Sequence, residues 1–438
     1  MARRFSLVLL TLLAACAAGD LAPPSASAQD AAPAAPLAFP GAMGWAATTP
    51  GGRGGQILRV TTLAADGPGS FREAVEAEGA RIIVFEVGGV IDLEAGEVRI
   101  REPFLTIAGQ TAPSPGITFT QGGFIVQTHD VVIQHIRIRT GEAGAGKMAG
   151  PDFDGISVNG HDVIVDHCSL TWATDENLSA SGDRFNGATP EEWREGTAHR
   201  VTFSNNIIAE GLAYSVHIKG EHSKGSLIHD NANDILIARN VYSSNMERSP
   251  LFKGGVRGAV VNNLIYNPGR RAVHYNLLPA EWEGQPYQLG IMTLVGNVMR
   301  GGPDTVPNMP LLQIGGAGDL EHYERDNRAV DIFGDPLPLE GRYTAYDVEV
   351  RRTRAPTMNP PYTEIMASGA VEAALYADVG ARPWDRDDHD WRVLADVVEG
   401  RSEIIDSETE VGGYPVVAPT SAPFDPGAWD LDTMTRRP

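Results

Sequence analysis

The sequence predicts an all-β solenoid of the parallel β-helix kind. Three observations lead there. Short runs of four to six β-branched or aliphatic residues alternate with Gly, Asn, Asp and Ser from about residue 81 to 300, which is how short strands between tight turns read. A polar residue closes these runs at His135, His167, Asn206, Asn240, Asn263 and Asn297, at steps of 32, 39, 34, 23 and 34 residues. Such a loose period indicates stacked coils with insertions. Helical periodicity is nearly absent over the same stretch. A β-sandwich would show turn signals every 8–12 residues and cleaner alternation.

The elements follow in chain order. Arg3 and Arg4 precede an apolar run over residues 5–15, and Leu13-Ala14-Ala15-Cys16 reads as a lipobox. We therefore expect an export signal over residues 1–16 with a lipid on Cys16, or plain secretory cleavage after Ser25-Ala26-Ser27-Ala28. Either way the mature chain lies outside the cytoplasm, as an outer-membrane lipoprotein or as a periplasmic or secreted protein. Residues 17–38 are rich in Ala, Pro and Ser; they cannot build a core and form a tether. In Ser70-Phe71-Arg72-Glu73 the serine caps a helix and Glu73 completes a capping box. We read this as the plug over the open end of the solenoid, which otherwise exposes strand edges.

The coils carry runs such as Arg81-Ile82-Ile83-Val84-Phe85, Val163-Ile164-Val165-Asp166-His167 and Ile235-Leu236-Ile237-Ala238-Arg239-Asn240. The β-helix domain is expected over residues 39–305 and a wrapping region over 306–438, with helices over residues 363–378 and 390–399. An Asn at one phase of each coil would bond its backbone and its copies in neighbouring coils, making an internal ladder. His135 and His167 are placed in that ladder as structural residues.

The composition limits the chemistry. The 438 residues hold 56 acidic and 35 basic side chains, a formal charge of −21. That balance argues against nucleic acid as a partner. Only Cys16 and Cys168 are present, so a chain that loses or lipidates Cys16 has no internal disulfide. Cys168 reads as a small buried thiol.

Two constellations stand out. Asp152 and Asp154, two residues apart, would face one way from a strand, and Asp175-Glu176 follow about one coil later. Carboxylates gathered without His or Cys fit a hard cation, Ca²⁺ above all. Between residues 201 and 275 the balance reverses. Lys219, Lys224, Arg239, Arg248, Lys253, Arg257, Arg270 and Arg271 outnumber Glu210, Glu221, Asp230, Asp234 and Glu247. Such segregation can steer an anionic ligand to one groove.

These residues also carry a resemblance. Ala38-Phe39-Pro40-Gly41-Ala42, Gly51-Gly52-Arg53-Gly54-Gly55, Gly67-Pro68-Gly69-Ser70-Phe71-Arg72 and Thr106-Ile107-Ala108-Gly109-Gln110-Thr111 resemble a bacterial exported branch of polysaccharide lyase family 1, the pectate lyases. Val163-Ile164-Val165-Asp166-His167 resembles the family's strand ending in Asp-His, and Arg248-Ser249-Pro250-Leu251-Phe252-Lys253 its Arg-x-Pro-x-x-Arg motif. The resemblance implies a right-handed parallel β-helix and Ca²⁺-dependent β-elimination on polygalacturonate, yielding 4,5-unsaturated oligogalacturonides. It implies Arg248 as the base, and Asp154 and Asp175 as calcium ligands with Asp152 beside them. Lys219 falls near the family's substrate-binding lysine, Lys253 at the motif's second Arg, and Arg257 is taken as a further substrate contact. Ser179 stands where the family often has another carboxylate, so Glu176 is the candidate replacement. A monomer is expected. Two alternatives stay open: a non-catalytic β-helix lipoprotein that binds polysaccharide, and a lyase or hydrolase acting on another uronan.

Overall fold

A computed structural model describes residues 35–222 and 224–437. The expected export signal, the lipid-bearing Cys16 and most of the tether lie outside the described residues. Among the described residues no helix is long and apolar enough to cross a membrane.

Each coil lays down three short strands. One coil runs through His199–Ser204, Ile207–Ala209 and Leu227–Ile228 before Asn233–Ala238 returns beside His199–Ser204 in parallel register. Repeated along the chain, these strands make three faces. Face 1 is an 11-stranded sheet that includes His199–Ser204. Faces 2 and 3 form one 17-stranded sheet, because Val87–Ile100 and Ile117–Val126 turn the corner between them. Ile207–Ala209 lies on face 2 and Leu227–Ile228 on face 3. Alternate side chains point inward: Val163 and Val165, Val201 and Phe203, and Ile235 and Ile237 all join one continuous core.

The outward side chains differ from face to face. On face 1, Val132 and Ile164 are covered by Ala38, Phe39, Ala42, Ala46 and Ala47, and Leu236, Ala238, Ala259 and Val261 by Met43. Burial on both sides explains why these strands read as unbroken apolar runs. On face 2, Ile207, Val241, Leu264 and Val298 pack against Val371, Leu375, Val393 and Val397. Those four belong to the helices Ser368–Asp378 and Asp388–Glu399. The first helix begins five residues later than expected. Its N-terminus is tied instead to Asp326, which accepts bonds from Ser368 N and Oγ at 2.8 Å. Asp387 caps the second, accepting from Asp390 N at 3.0 Å.

The polar ladder is real but phased differently from the sequence expectation. Each Asn backbone N–H donates to the next Asn Oδ1 at 2.9–3.0 Å, through Asn206, Asn240, Asn263, Asn297 and Asn327. The ladder ends at Cys168, whose N–H donates to Asn206 Oδ1 at 2.8 Å. His135 and His167 are not rungs. They align with Asn205, one place earlier, where Ser169 pairs with Ile207 and Arg137. That place takes a left-handed residue in coil after coil: His135, His167, Asn205, Arg239, Asn262 and Asp326 all have φ of 50–58°. Asn, Asp and His are the side chains that tolerate it best. Cys168 is buried, and burial pushes its thiol up to about 12.

The plug helix is Phe71–Glu76. Ser70 Oγ accepts from Glu73 N at 3.2 Å, and Glu73 Oε2 accepts from Gly69 N at 2.6 Å, one residue before the usual partner. Phe71 stands 4.7 Å from Phe119 and 5.3 Å from Phe124, ring centre to ring centre. Coils continue past residue 305 through Leu312–Gly316, Leu320–Arg325, Arg328–Val330, Glu340–Arg342 and Val350–Arg352. The stacked strands therefore reach about 47 residues beyond the boundary expected from apolar patterning.

Candidate active site

Face 3 has neither cover, and the carboxylates gather there. Its strand Ile156–Val158 pairs with Leu178–Ala180, so the chain just before each strand is stacked too. That brings Asp154 beside Asp175 and Glu176, with one oxygen from each within 4.8 Å of the others. Asp154 Oδ1 accepts from Glu176 N at 3.0 Å. Asp152 and Asp154 precede the strand rather than sit in it. Their orientations are set by separate bonds, not by strand alternation. Asp152 Oδ1 accepts from Ile218 N at 3.1 Å, and its Oδ2 lies 3.6 Å from His217 Nε2.

Burial and the facing charge of Asp175 push the Asp154 carboxyl up to about 8. Burial acts on Asp175 in the same sense, but the bond from His222 and the charges of His222, His217 and Arg248 outweigh it and hold that carboxyl below its ordinary range. His222 Nε2 is 2.9 Å from Asp175 Oδ1. The His217 and His222 rings stack with centroids 3.6 Å apart. Ser179 stands beside Asp154, a hydroxyl where another carboxylate is frequent. Asp154, Asp175 and Glu176 offer oxygen donors, and the charge of Arg248 does not offset the burial of Asp154 and the facing charge of Asp175. Such a set fits a hard dication such as Ca²⁺. Contrary to the expectation of carboxylates without His, Asp175 also lies with His217 and His222, because the loop that carries both histidines folds over it.

Arg248 reaches the same place from two coils on. Its Nη1 pairs with Glu176 Oε1. Burial pushes the guanidinium down, against Asp175 and Asp154, which raise it. Behind it Glu176, Lys224 and Glu247 stack in parallel. Lys224 Nζ donates to Glu247 Oε1 at 2.8 Å, and Arg270 and Arg271 reach Glu247 at 2.9 and 2.5 Å. The basic stretch is thus largely neutralised from within.

The expected substrate contacts divide. Lys219 is exposed next to Asp152, its N–H donating to His217 Nδ1 at 3.1 Å. Lys253 is buried, paired with Asp230 at 3.4 Å and with Glu281. Arg257 does not join the site. It opens the face 1 strand Arg257–Val261, where Arg194 and Asp234 are its charged neighbours. Trp172 is buried and donates to Glu210 at 3.0 Å, so it packs rather than lines a groove. His222 carries much of the site's electrostatics and is not among the residues expected from sequence; its signal is the close spacing of His217, His222 and Lys224 in one glycine-flanked loop. Glu247, named above only in the charge count, sits one coil on from Lys224.

No family model matches the chain. In solved structures the chain is similar to a pectate lyase bound to a hexasaccharide, with TM-score 0.55 and 13% identity over 81% of this chain and all of that one. The fold is that of pectate lyases. The major cedar-pollen allergen jun a 1 has the same fold, with TM-score 0.52, 16% identity and coverage of 78% of this chain and 92% of that one. In sequence, a probable pectate lyase C of Neosartorya fischeri is 37% identical over 270 residues, 61% of this chain and 55% of that protein. One of Emericella nidulans is 39% identical over 236 residues, 53% of this chain and 48% of that protein. The chain spans about half the length of the curated relatives it matches. These relatives are fungal, so the bacterial exported branch rests on the quoted motifs alone.

Proposed function

We propose that this protein is an exported, monomeric, calcium-dependent pectate lyase that cleaves polygalacturonate by β-elimination, with Arg248 as the base. The observation that carries the reading is the meeting of Asp154, Asp175, Glu176 and Arg248 on the one face that neither the N-terminal segment nor the two long helices cover.

The residues suit the chemistry. A uronate C5 proton is a weak acid because its own carboxylate is anionic. Asp154, Asp175 and Glu176, with Asp152 alongside, would hold Ca²⁺, which when bound supplies charge neutralisation of that carboxylate. Arg248 would take the C5 proton. The C–H electron pair becomes the C4=C5 double bond, and the C4 oxygen leaves with its own pair and gains a proton. Arginine is ordinarily always charged, and the burial that pushes Arg248 down is the change a base needs. Lys219, exposed beside Asp152, would meet a uronate carboxylate. Lys253 would act by fixing the wall it shares with Asp230 and Glu281.

Mass spectrometry of the products tests this. Incubation with polygalacturonate and calcium is expected to give 4,5-unsaturated oligogalacturonides, and a chelator to stop their formation. Saturated products carrying an added water would mark a hydrolase and refute the lyase.

A further inference from the structure

The loop that brings His217 and His222 to Asp175 adds nitrogen to a place otherwise built of oxygen. Both histidines are buried, at 1% and 7% exposure, and both Nε2 atoms face the Asp175 carboxylate. His222 Nε2 lies 2.9 Å from its Oδ1, and His217 Nε2 lies 3.7 Å from its Oδ2. Asp152 Oδ2 stands 3.6 Å from the same His217 nitrogen.

The bonds of the other ring nitrogens show what is missing. His222 Nδ1 faces the Glu221 carbonyl at 3.2 Å. A carbonyl only accepts, so Nδ1 carries the proton of the neutral ring. Nε2 then turns a lone pair on a carboxylate oxygen, a repulsion that a second proton or a metal ion between them relieves. His217 Nε2 is buried and has no hydrogen-bond partner. Its two carboxylate neighbours are too far for a hydrogen bond, yet at the right separation for ligands of one ion. With bonds of about 2.1 Å, adjacent ligands of a tetrahedral metal stand about 3.4 Å apart. Such an ion needs no water-sized opening at the nitrogen. It passes the Asp175 side chain, which is 27% exposed, and fills the gap between nitrogen and carboxylates. Ligation moves the His217 proton to Nδ1 and gives up the bond from Lys219 N at 3.1 Å, a contact within one exposed turn. Imidazole with carboxylate suits a borderline dication such as Zn²⁺, whereas carboxylates alone suit Ca²⁺.

We infer that Asp175, His217 and His222 form a second cation site, for a Zn²⁺-like dication, with Asp152 within reach as a fourth ligand. It shares Asp175 with the proposed calcium site and stands whether or not that site holds Ca²⁺.

Calorimetric titration of the whole, chelator-treated protein with Zn²⁺ at neutral pH tests it. One equivalent is expected to bind, and His217→Ala and His222→Ala each to weaken it at least about a hundredfold, since losing a ligand costs more than losing the partner behind one. His129→Ala, in a separate histidine stack on face 1, should bind as the parent does. Circular dichroism establishes that each variant is folded. X-ray absorption of the Zn²⁺-loaded parent needs no variant and should show two imidazoles around the metal. Co²⁺ should give visible ligand-field bands that Zn²⁺ abolishes and an about tenfold excess of Ca²⁺ does not. No saturable Zn²⁺ binding leaves a proton as the bridge and overturns the site. Binding indifferent to both histidine substitutions, or a metal shell of oxygen alone, overturns it too.

Discussion

Faces 2 and 3 are built from the same kind of strand, three residues or so in parallel register, yet one is a foundation and the other a working surface. Their inward residues feed the same core. The outward ones differ. Face 2 turns out Ile207, Val241, Leu264 and Val298 and takes two helices over them. Face 3 turns out Ser157, Ser179 and Lys253, and neither of those helices packs on it. The charges differ in the same sense. Arg137 and Arg139 on face 2 are matched by Asp387 and Asp390 of the covering helix at 2.7–3.4 Å. On face 3, Asp154 lies among the carboxylates of Asp175 and Glu176, and its oxygen takes a backbone bond from Glu176 N rather than from an arginine. A face whose charges are answered by its own chain is structural; one with an unanswered charge is available to a ligand.

Several substitutions break or sharpen that contrast. Asp390→Ala leaves the two buried face 2 arginines with Asp387 as their one remaining carboxylate and should cost up to about 3–5 kcal/mol, read as a lower midpoint in denaturant, with activity on polygalacturonate kept at low temperature. A loss under 1 kcal/mol would deny the helix its covering role. Asn240→Ala removes one rung between faces 1 and 2, and about 1–3 kcal/mol is expected from the partners left unsatisfied. His167, beside Asp166 at 2.6 Å, gives a pH test. Burial opposes its protonation, but Asp166 and Asp378 outweigh this and push it up to about 10. Its contribution is therefore complete below its unfolded value near 6.5 and is lost as the pH rises toward 10. The thermal midpoint should fall across that window, and less steeply in His167→Asn. The smallest effect belongs to face 3: Lys219→Ala should raise KM about twofold to fivefold with kcat unchanged, as for an exposed charge.

Much of this was legible in the sequence because a solenoid repeats its reasons. Asn206, Asn240, Asn263 and Asn297 each announce a turn, and the coil follows. The histidines were misphased because a left-handed turn residue and a ladder residue are adjacent, and both positions favour the same side chains. The last coils were hidden because Glu340–Arg342 and Val350–Arg352 carry charges instead of an apolar run. The carboxylate cluster was legible from one-coil spacing. The neutralisation of the basic stretch was not. The partners that decide it, such as Glu281 for Lys253, come from loops whose positions no local pattern reveals. Arg257 was assigned by charge, whereas its strand faces elsewhere.

The central claim is that face 3 is a catalytic surface with Arg248 as its base. The direct measurement is the ultraviolet absorbance of polygalacturonate with calcium, comparing the parent protein with Arg248→Ala at matched circular dichroism. The account predicts a steady rise from the unsaturated product in the parent, reduced at least about a hundredfold in the variant, as for loss of a general base. A rise of equal rate in the folded variant would contradict it.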